Sequence, residues 1–463
     1  METQFKINHR QLAWMVTVTL VAGGFLTTPK TLVALAKEDA WLTQVFGMVY
    51  ALLITALFYF LSRRFPGKNL FDITFALFGK WLGGFCNLIF LLHFISVMIR
   101  DIGVFNDFMN TNLLIRTPGE IIVLLLVLLL IYFGKSSVEV SVRVNDLIFP
   151  VFLGMVLLVP LLLSNEFSMD RVRPILGQGL GPLTAGNIIG CGWYGDLLVS
   201  GAFIGMIGSS KKMYAALRHG VMATAFLMSM VLLCIIGVLG TEVAARLLYP
   251  NYSLVEQIHI TDYLDRIELV VFSIWLPIFV LKVAFIFLAS LTLLNTITNR
   301  VNYKLYNKQF GWLILFLWLF AFQSVIEVFN FANYGPVLML LPHQIIYLLL
   351  YLFGRRRKVV VDNEAEADSA PKQPNDPRGQ QGVWQWFTSK SEKTWRRVTN
   401  WAVATILASV CAGAMFGQVR PTLGTLFGGI IFAALIVGYV STYLEMRQVN
   451  IANERQQQRE GRS

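Results

Sequence analysis

Apolar stretches of about twenty residues recur along the chain, and this constrains the fold more than any other feature. A stretch of that length crosses the hydrocarbon core as an α-helix. In lipid, only helices and closed barrels satisfy every backbone polar group. Spans are expected near 11–36, 40–61, 81–105, 119–133, 146–164, 184–208, 219–240, 267–297, 311–328 and 335–353, with two more near 398–417 and 421–443. Only 14% of the 463 residues are charged, and mean hydropathy is +0.62, which excludes an ordinary soluble domain. The expected class is an all-α polytopic membrane protein.

The formal charge of +11 does not point to nucleic acid, because the basic residues sit beside apolar spans rather than along a soluble stripe. Cys86, Cys191, Cys234 and Cys411 are scattered, and the five histidines form no short metal-ligand spacing. No metal and no cofactor are expected, and no phosphate-binding loop or nucleophile elbow is present. The basic residues Lys6 and Arg10 ahead of an apolar run mimic a secretory signal, but further spans follow at once. An uncleaved first membrane helix is the better reading.

Lysine and arginine near span ends set the orientation. With the N-terminus inside, the inner loops receive Arg63, Arg64 and Lys68; Lys135 and Arg143; Lys211, Lys212 and Arg218; Arg300, Lys304 and Lys308; and the "RRRK" at 355–358. Both termini are therefore expected in the cytoplasm. The chain divides into a ten-helix core over 1–353 (repeat one 9–164, repeat two 184–353), a polar cytoplasmic linker at 354–397, a transmembrane hairpin at 398–443 and a cytoplasmic tail at 444–463. The patterns "GAMFG" (413–417) and "GTLFG" (424–428) predict a tight hairpin, since small residues at this spacing let backbones approach.

Two spans carry matching interruptions. In "VAGGFLTTPK" (21–30), Gly23 and Gly24 loosen span 1, Thr27 and Thr28 offer caps, and Pro29 suits the first turn of a renewed helix. In "GCGWYGDLLVSG" (190–201), Gly190, Gly192 and Gly195 precede Asp196 in span 6. Two five-span repeats make spans 1 and 6 equivalent and oppositely oriented, and paired broken helices mark a midplane substrate site in such folds. Backbone groups freed there need partners, and a free amino acid supplies both a carboxylate and an ammonium.

Asp196 and Lys282, the latter within "WLPIFVLKVAF", carry charge to bilayer depth, at a cost of roughly 2.5–3.5 kcal/mol each. Asp196 either caps a half-helix or meets a substrate amine. Lys282 either pairs structurally or serves as a built-in cation or proton carrier. His93, Ser96 and Val97 share one face of span 3, whereas Arg100, Asp101 and Glu327 lie toward span ends, where snorkelling is easier. His343 shows no partner. The charges read as isolated, which disfavours an intramembrane enzyme.

Seven segments then carry a resemblance: "GGFLTTPK" (23–30), "AKEDAWL" (36–42), "RRFPGKNLFDI" (63–73), "LIRTPGEIIVL" (114–124), "RPILGQGLGPL" (173–183), "YGDLLV" (194–199) and "YPNYSLVEQIHITDYLDRIELVVFSIW" (249–275). The chain resembles the B-subunit family of spore germinant receptors, a branch of the amino acid/polyamine/organocation transporter superfamily. The resemblance implies a leucine-transporter-type five-plus-five inverted repeat with discontinuous helices 1 and 6 around a small nutrient, often an amino acid. It also implies an A subunit and a lipoprotein C subunit as partners in the spore inner membrane. Gly23 and Gly24 match the helix-1 break, and Asp196 matches an acid that is more often glutamate. Lys282 and Val97 border the pocket by fold position. The expected substrate-binding set is Gly23, Gly24, Thr27, Thr28, Val97, Gly192, Gly195 and Asp196, with Lys282 as cation surrogate or proton-coupling group. The shorter aspartate and the extra segment 359–443 depart from the family pattern. The alternative function is a proton-coupled amino acid permease.

Overall fold

The structure is a computed structural model that describes residues 7–259, 266–299, 305–360 and 390–460. Twelve long helices carry it: α1 His9–Ala36, α2 Gln44–Ser62, α3 Leu70–Phe108, α4 Gly119–Lys135, α5 Val138–Leu162, α6 Leu180–Tyr194, α7 Ser210–Leu239, α8 Ile267–Thr298, α9 Asn307–Ala321, α10 Val325–Gly354, α11 Glu392–Phe416 and α12 Pro421–Glu460. Each overlaps at least one expected span. Eight described helical segments, one of which runs through both α1 and α2, are long and apolar enough to cross a membrane.

Helix ends differ from expectation where local chemistry sets them. Asn69 caps α3 by accepting from the Asp72 amide at 2.9 Å, so the helix starts before its apolar span. Gly79 then turns the chain at φ 73°, a conformation open to glycine at no steric cost. Ser324 caps α10 by accepting from the Glu327 amide, which ends α9 early and starts α10 early. Glu327 is exposed at that end, as its place in the span suggested.

Helices α1 and α7 lie at the centre, buried almost all round, the pattern of a helix without a solvent or lipid face. The outer helices turn large apolar residues outward, among them Leu125, Leu147, Leu161, Phe316 and Phe320. These are the surfaces that a bilayer covers.

Helix α1 is helical without interruption across Gly23, Gly24, Thr27 and Thr28. This corrects the expected break. Pro29 lies inside the helix and cannot donate to the Phe25 carbonyl four residues back. The side-chain amide of Asn251, on the short helix Pro250–Val255, donates to that carbonyl instead. The hydroxyl of Thr28 donates back to the Gly24 carbonyl rather than capping a new helix.

The sixth span does change character. Helix α6 stops at Tyr194, and the chain continues as 3-10 helix over Gly195–Ala202 and Ile204–Met206. The tighter, poorer bonding of 3-10 helix often marks a functional discontinuity. Here the glycine-rich stretch supplies it.

Helices α11 and α12 form a close hairpin. A methyl on Gly417 would lie 3.3 Å from Gly424 Cα, and one on Gly428 would lie 2.9 Å from Ile175 Cγ2. Methyls on Gly413 and Gly424 would collide with the Leu176 side chain and the Ile175 carbonyl. The two small-residue patterns thus pack against each other and also form a notch for the loop before α6. Helix α12 continues beyond 443, the expected start of the tail. Its buried Glu445 accepts from Arg396 Nε at 3.0 Å and lies 3.7 Å from Arg218 on α7. The linker expected at 354–397 is bounded by the end of α10 at Gly354 and the start of α11 at Glu392; its residues 361–389 lie outside the described residues.

Candidate functional site

Four charged side chains from three elements meet in the interior. Arg100 and Asp101 come from α3, Lys282 from α8, and Asp196 from the second residue of the 3-10 segment that follows α6. Arg100 Nη2 lies 2.8 Å from Asp196 Oδ2, and Arg100 Nε lies 2.9 Å from Asp101 Oδ1. Lys282 Nζ lies 2.8 Å from Asp101 Oδ2 and 3.1 Å from Asp196 Oδ2. None of the four is more than 1% exposed.

The centre holds two cations and two anions, and that balance makes it tolerable. Deep burial of charge costs several kcal/mol per ion unless pairing and hydrogen bonds compensate. Each acid here has two cationic partners, and each cation has two acids. Two earlier readings are corrected by this arrangement. Arg100 and Asp101 do not snorkel from a span end, because α3 continues past them to Phe108. The intramembrane charges are convergent rather than isolated, since α3, α8 and the 3-10 segment after α6 pack around one point.

Trp193 closes the centre from one side. Its ring lies 3.9 Å from the Arg100 guanidinium carbon and 5.1 Å from Lys282 Nζ, within the range of cation–π attraction. Gly23 and Gly24 make this possible. A methyl on Gly23 would collide with Lys282 Nζ, and one on Gly24 would lie 3.3 Å from Trp193 Cε3. The glycine pair therefore gives α1 a flat flank for two large side chains, with the helix intact.

Of the expected site residues, Gly23, Gly24, Asp196 and Lys282 come together. Asp196 directs its carboxylate to the two cations rather than to a capping role. Thr28 and Gly24 line a cavity of about 10 Å³ with Gln44, Gly190, Trp193 and Tyr194. Thr27 is buried, with no hydrogen-bond partner for its hydroxyl among the described residues. Gly192 and Gly195 face away from α1: methyls there would lie 3.1 Å from Pro336 and 3.2 Å from Leu340, both on α10. Val97 is buried on α3, one turn before Arg100.

Sequence reasoning passed over Arg100, Asp101 and Trp193. A usable signal existed. His93, Val97 and Arg100 recur at i, i+4 and i+7, one helix face, and Trp193 and Asp196 are three apart. His343 also has a neighbour after all: its ring centroid lies 4.5 Å from that of His93. His93 Nε2 in turn lies 4.0 Å from Asp196 Oδ1.

Comparison with known proteins agrees with this arrangement of helices. A profile for the family described as spore germination protein matches residues 6–331. Putative spore germination protein YfkT of Bacillus subtilis (strain 168) is 22% identical over 335 residues, 72% of this chain and 91% of that one. Spore germination protein KB of the same organism is 24% identical over 357 residues, covering 75% and 94%. Spore germination protein B2 is 22% identical over 275 residues, covering 59% and 75%. Among solved structures, Mhp1, a nucleobase-cation-symport-1 family transporter in a closed conformation with bromovinylhydantoin bound, matches with a TM-score of 0.58 at 13% identity, over 97% of this chain and 94% of that one. A likeness at that identity speaks to fold alone, and the fold is the inverted-repeat transporter architecture.

Proposed function

We propose that this chain, which belongs to the spore germination protein family, is the nutrient-sensing subunit of a spore germination receptor and binds an amino acid or similar small nutrient at the Arg100–Asp101–Asp196–Lys282 centre. The family makes it an integral multi-pass membrane protein. Under this reading it sits in the spore inner membrane with both termini in the cytoplasm. It works there with an A subunit and a lipoprotein C subunit, and α11 and α12 extend the ten-helix core.

The balanced charge centre is the observation that carries the reading. The Arg100–Asp196 and Lys282–Asp196 pairs join the 3-10 segment to α3 and α8. Parting them without compensation leaves charges buried and unpaired, at about 3–5 kcal/mol. A zwitterion removes that penalty by placing its carboxylate on Arg100 and its ammonium on Asp196. A neutral molecule or a simple amine cannot. Ligand binding thus favours the parted arrangement, and a ligand shifts a conformational equilibrium only through such differential affinity. No catalytic role is assigned to any of the four groups.

The test is a thermal-shift screen of purified protein against amino acids, simple amines and sugars. Binding to the folded state raises apparent stability by mass action. A concentration-dependent shift confined to zwitterions supports the reading; shifts from amines or sugars alone contradict it. A second reading, proton-coupled amino acid permease, is favoured by one feature: the Lys282 ammonium is held where a coupling cation would balance the two acids. Uptake of labelled amino acid into proteoliposomes, driven by a pH gradient, supports the permease, and its absence alongside binding supports the receptor.

A further inference from the structure

Two basic runs lie side by side at the end of the bundle that the lysine and arginine distribution assigns to the cytoplasm. Arg63 and Arg64 follow α2, and Arg355, Arg356, Arg357 and Lys358 follow α10. Arg64 and Arg357 are 293 positions apart in the chain, so only the fold brings the runs together. The Val360 amide donates to the Arg63 carbonyl at 3.2 Å, and Arg64 Nε donates to the Arg357 carbonyl at 3.2 Å. The helices touch just before these ties. The ring centroids of Phe60 and Tyr351 are 5.0 Å apart, and a methyl on Gly354 would lie 3.1 Å from Phe60 Cε1.

Like charges repel, so six cations held together call for a counter-charge. Other arginines assigned to the same end have one within the chain. Arg10 lies 3.7 Å from Asp146, Arg143 pairs with Glu139, and Arg396 lies 3.0 Å from Glu445. Among the described residues, no acid forms an ion pair with any of the six. Aromatic rings hold three of them instead. The guanidinium carbons of Arg64, Arg63 and Arg356 lie 3.7, 5.7 and 5.5 Å from the rings of Phe60, Tyr59 and Phe353. A ring face orients a guanidinium without cancelling its charge, and its hydrogen-bonding edge stays available to an anion.

The surface next to the cluster is apolar. Leu341, Ile345, Leu348 and Leu352 of α10 are all exposed, and their spacing of i, i+4, i+7 and i+11 puts them on one helix face. That stripe leads directly to the arginines at 355–357. We propose that the seam between α2 and α10 binds an anionic phospholipid, its headgroup phosphate held by the six cations and its acyl chains lying along the α10 stripe. Guanidinium forks match phosphate oxygens, and basic clusters beside a membrane helix attract anionic headgroups. The bridging headgroup offsets the repulsion between the runs and so holds α2 to α10. Free phosphate would match the charge and leave the stripe unused. The acidic run Asp362, Glu364, Glu366 and Asp368, which lies outside the described residues, would do the same. The seam is separate from the Arg100–Asp101–Asp196–Lys282 centre, so the inference stands apart from nutrient binding.

The test is thermal unfolding of the full-length protein in neutral detergent with added phosphatidylglycerol, phosphatidylcholine of the same chains, or inorganic phosphate. Phosphatidylglycerol alone is expected to raise the melting temperature, and to do so saturably. The triple variant Arg356→Gln, Arg357→Gln, Lys358→Gln spares both hydrogen bonds between the runs. It is expected to lose roughly tenfold to a hundredfold in affinity for phosphatidylglycerol, the scale of three cations removed from an anionic surface. Native mass spectrometry of wild-type protein covers the case in which the variant does not fold, and retention of phosphatidylglycerol over phosphatidylcholine is expected. Equal retention of the two lipids, or equal affinity of wild type and variant, overturns the site. An equal shift from inorganic phosphate reduces it to an anion site and overturns the lipid. A shift that appears only after Asp362→Asn, Glu364→Gln, Glu366→Gln and Asp368→Asn are combined overturns it in favour of the acidic run.

Discussion

Arg100 on α3 and Asp196 after α6 meet at 2.8 Å, Nη2 to Oδ2, with neither side chain more than 1% exposed. The contact ties the discontinuous sixth span to the part of α3 that follows the turn at Gly79. It is direct, charge-assisted and buried, so it is both strong in place and costly to leave half made.

The Lys282–Asp101 pair predicts a specific pattern of stabilities. Lys282→Met alone leaves two acids facing one cation, and Asp101→Asn alone leaves two cations facing one acid. Each single variant is expected to lose about 3–5 kcal/mol. The double variant restores the balance of charge and is expected to lose much less than the sum of the two single losses, which is the signature of coupled groups. Thermal unfolding of the four proteins in one detergent measures it. Losses that simply add would show that the pair is not coupled.

Gly23→Ala places a methyl against Lys282 Nζ and must displace the ammonium or the helix. Destabilisation of about 1–3 kcal/mol is expected, the usual range for overpacking. Gly154→Ala on α5 meets nothing within 4 Å. There the ordinary helix preference for alanine applies, a gain of about 0.5–1 kcal/mol. Equal effects at the two positions in thermal unfolding would contradict the close approach at Gly23.

Gly424→Val fills the notch against the Ile175 carbonyl. The loop before α6 is held there, and it is also tied to the segment after α1 by Asp39, which accepts from the Leu176 amide at 2.5 Å. The variant is expected to lower the melting temperature and to speed proteolysis at 173–179. Unchanged cleavage there would mean that the hairpin does not hold the loop.

Much of this was legible from the chain. Apolar length located all twelve helices, because the bilayer fixes the length a span needs. The glycines before Asp196 located the change in α6. The same reasoning failed at Gly23 and Gly24, since glycine permits both a broken helix and a close approach, and the side chains that approach come from α6 and α8. Arg100 and Asp101 were misplaced for a related reason. Depth was judged from the apolar span, whereas α3 continues past both to Phe108. The notch for Ile175 was hidden because small-residue spacing shows that something approaches, not which segment does.

The most direct measurement is calorimetric titration of wild-type protein and Asp196→Asn with one amino acid that binds, alongside the methyl ester of that amino acid. The substitution keeps the shape of the side chain and removes the charge. The expected result is binding of the free amino acid to wild-type protein only, with the ester bound by neither, because each end of the zwitterion needs its own buried partner. Equal affinity of the two proteins for the amino acid would place the nutrient somewhere other than the charge centre.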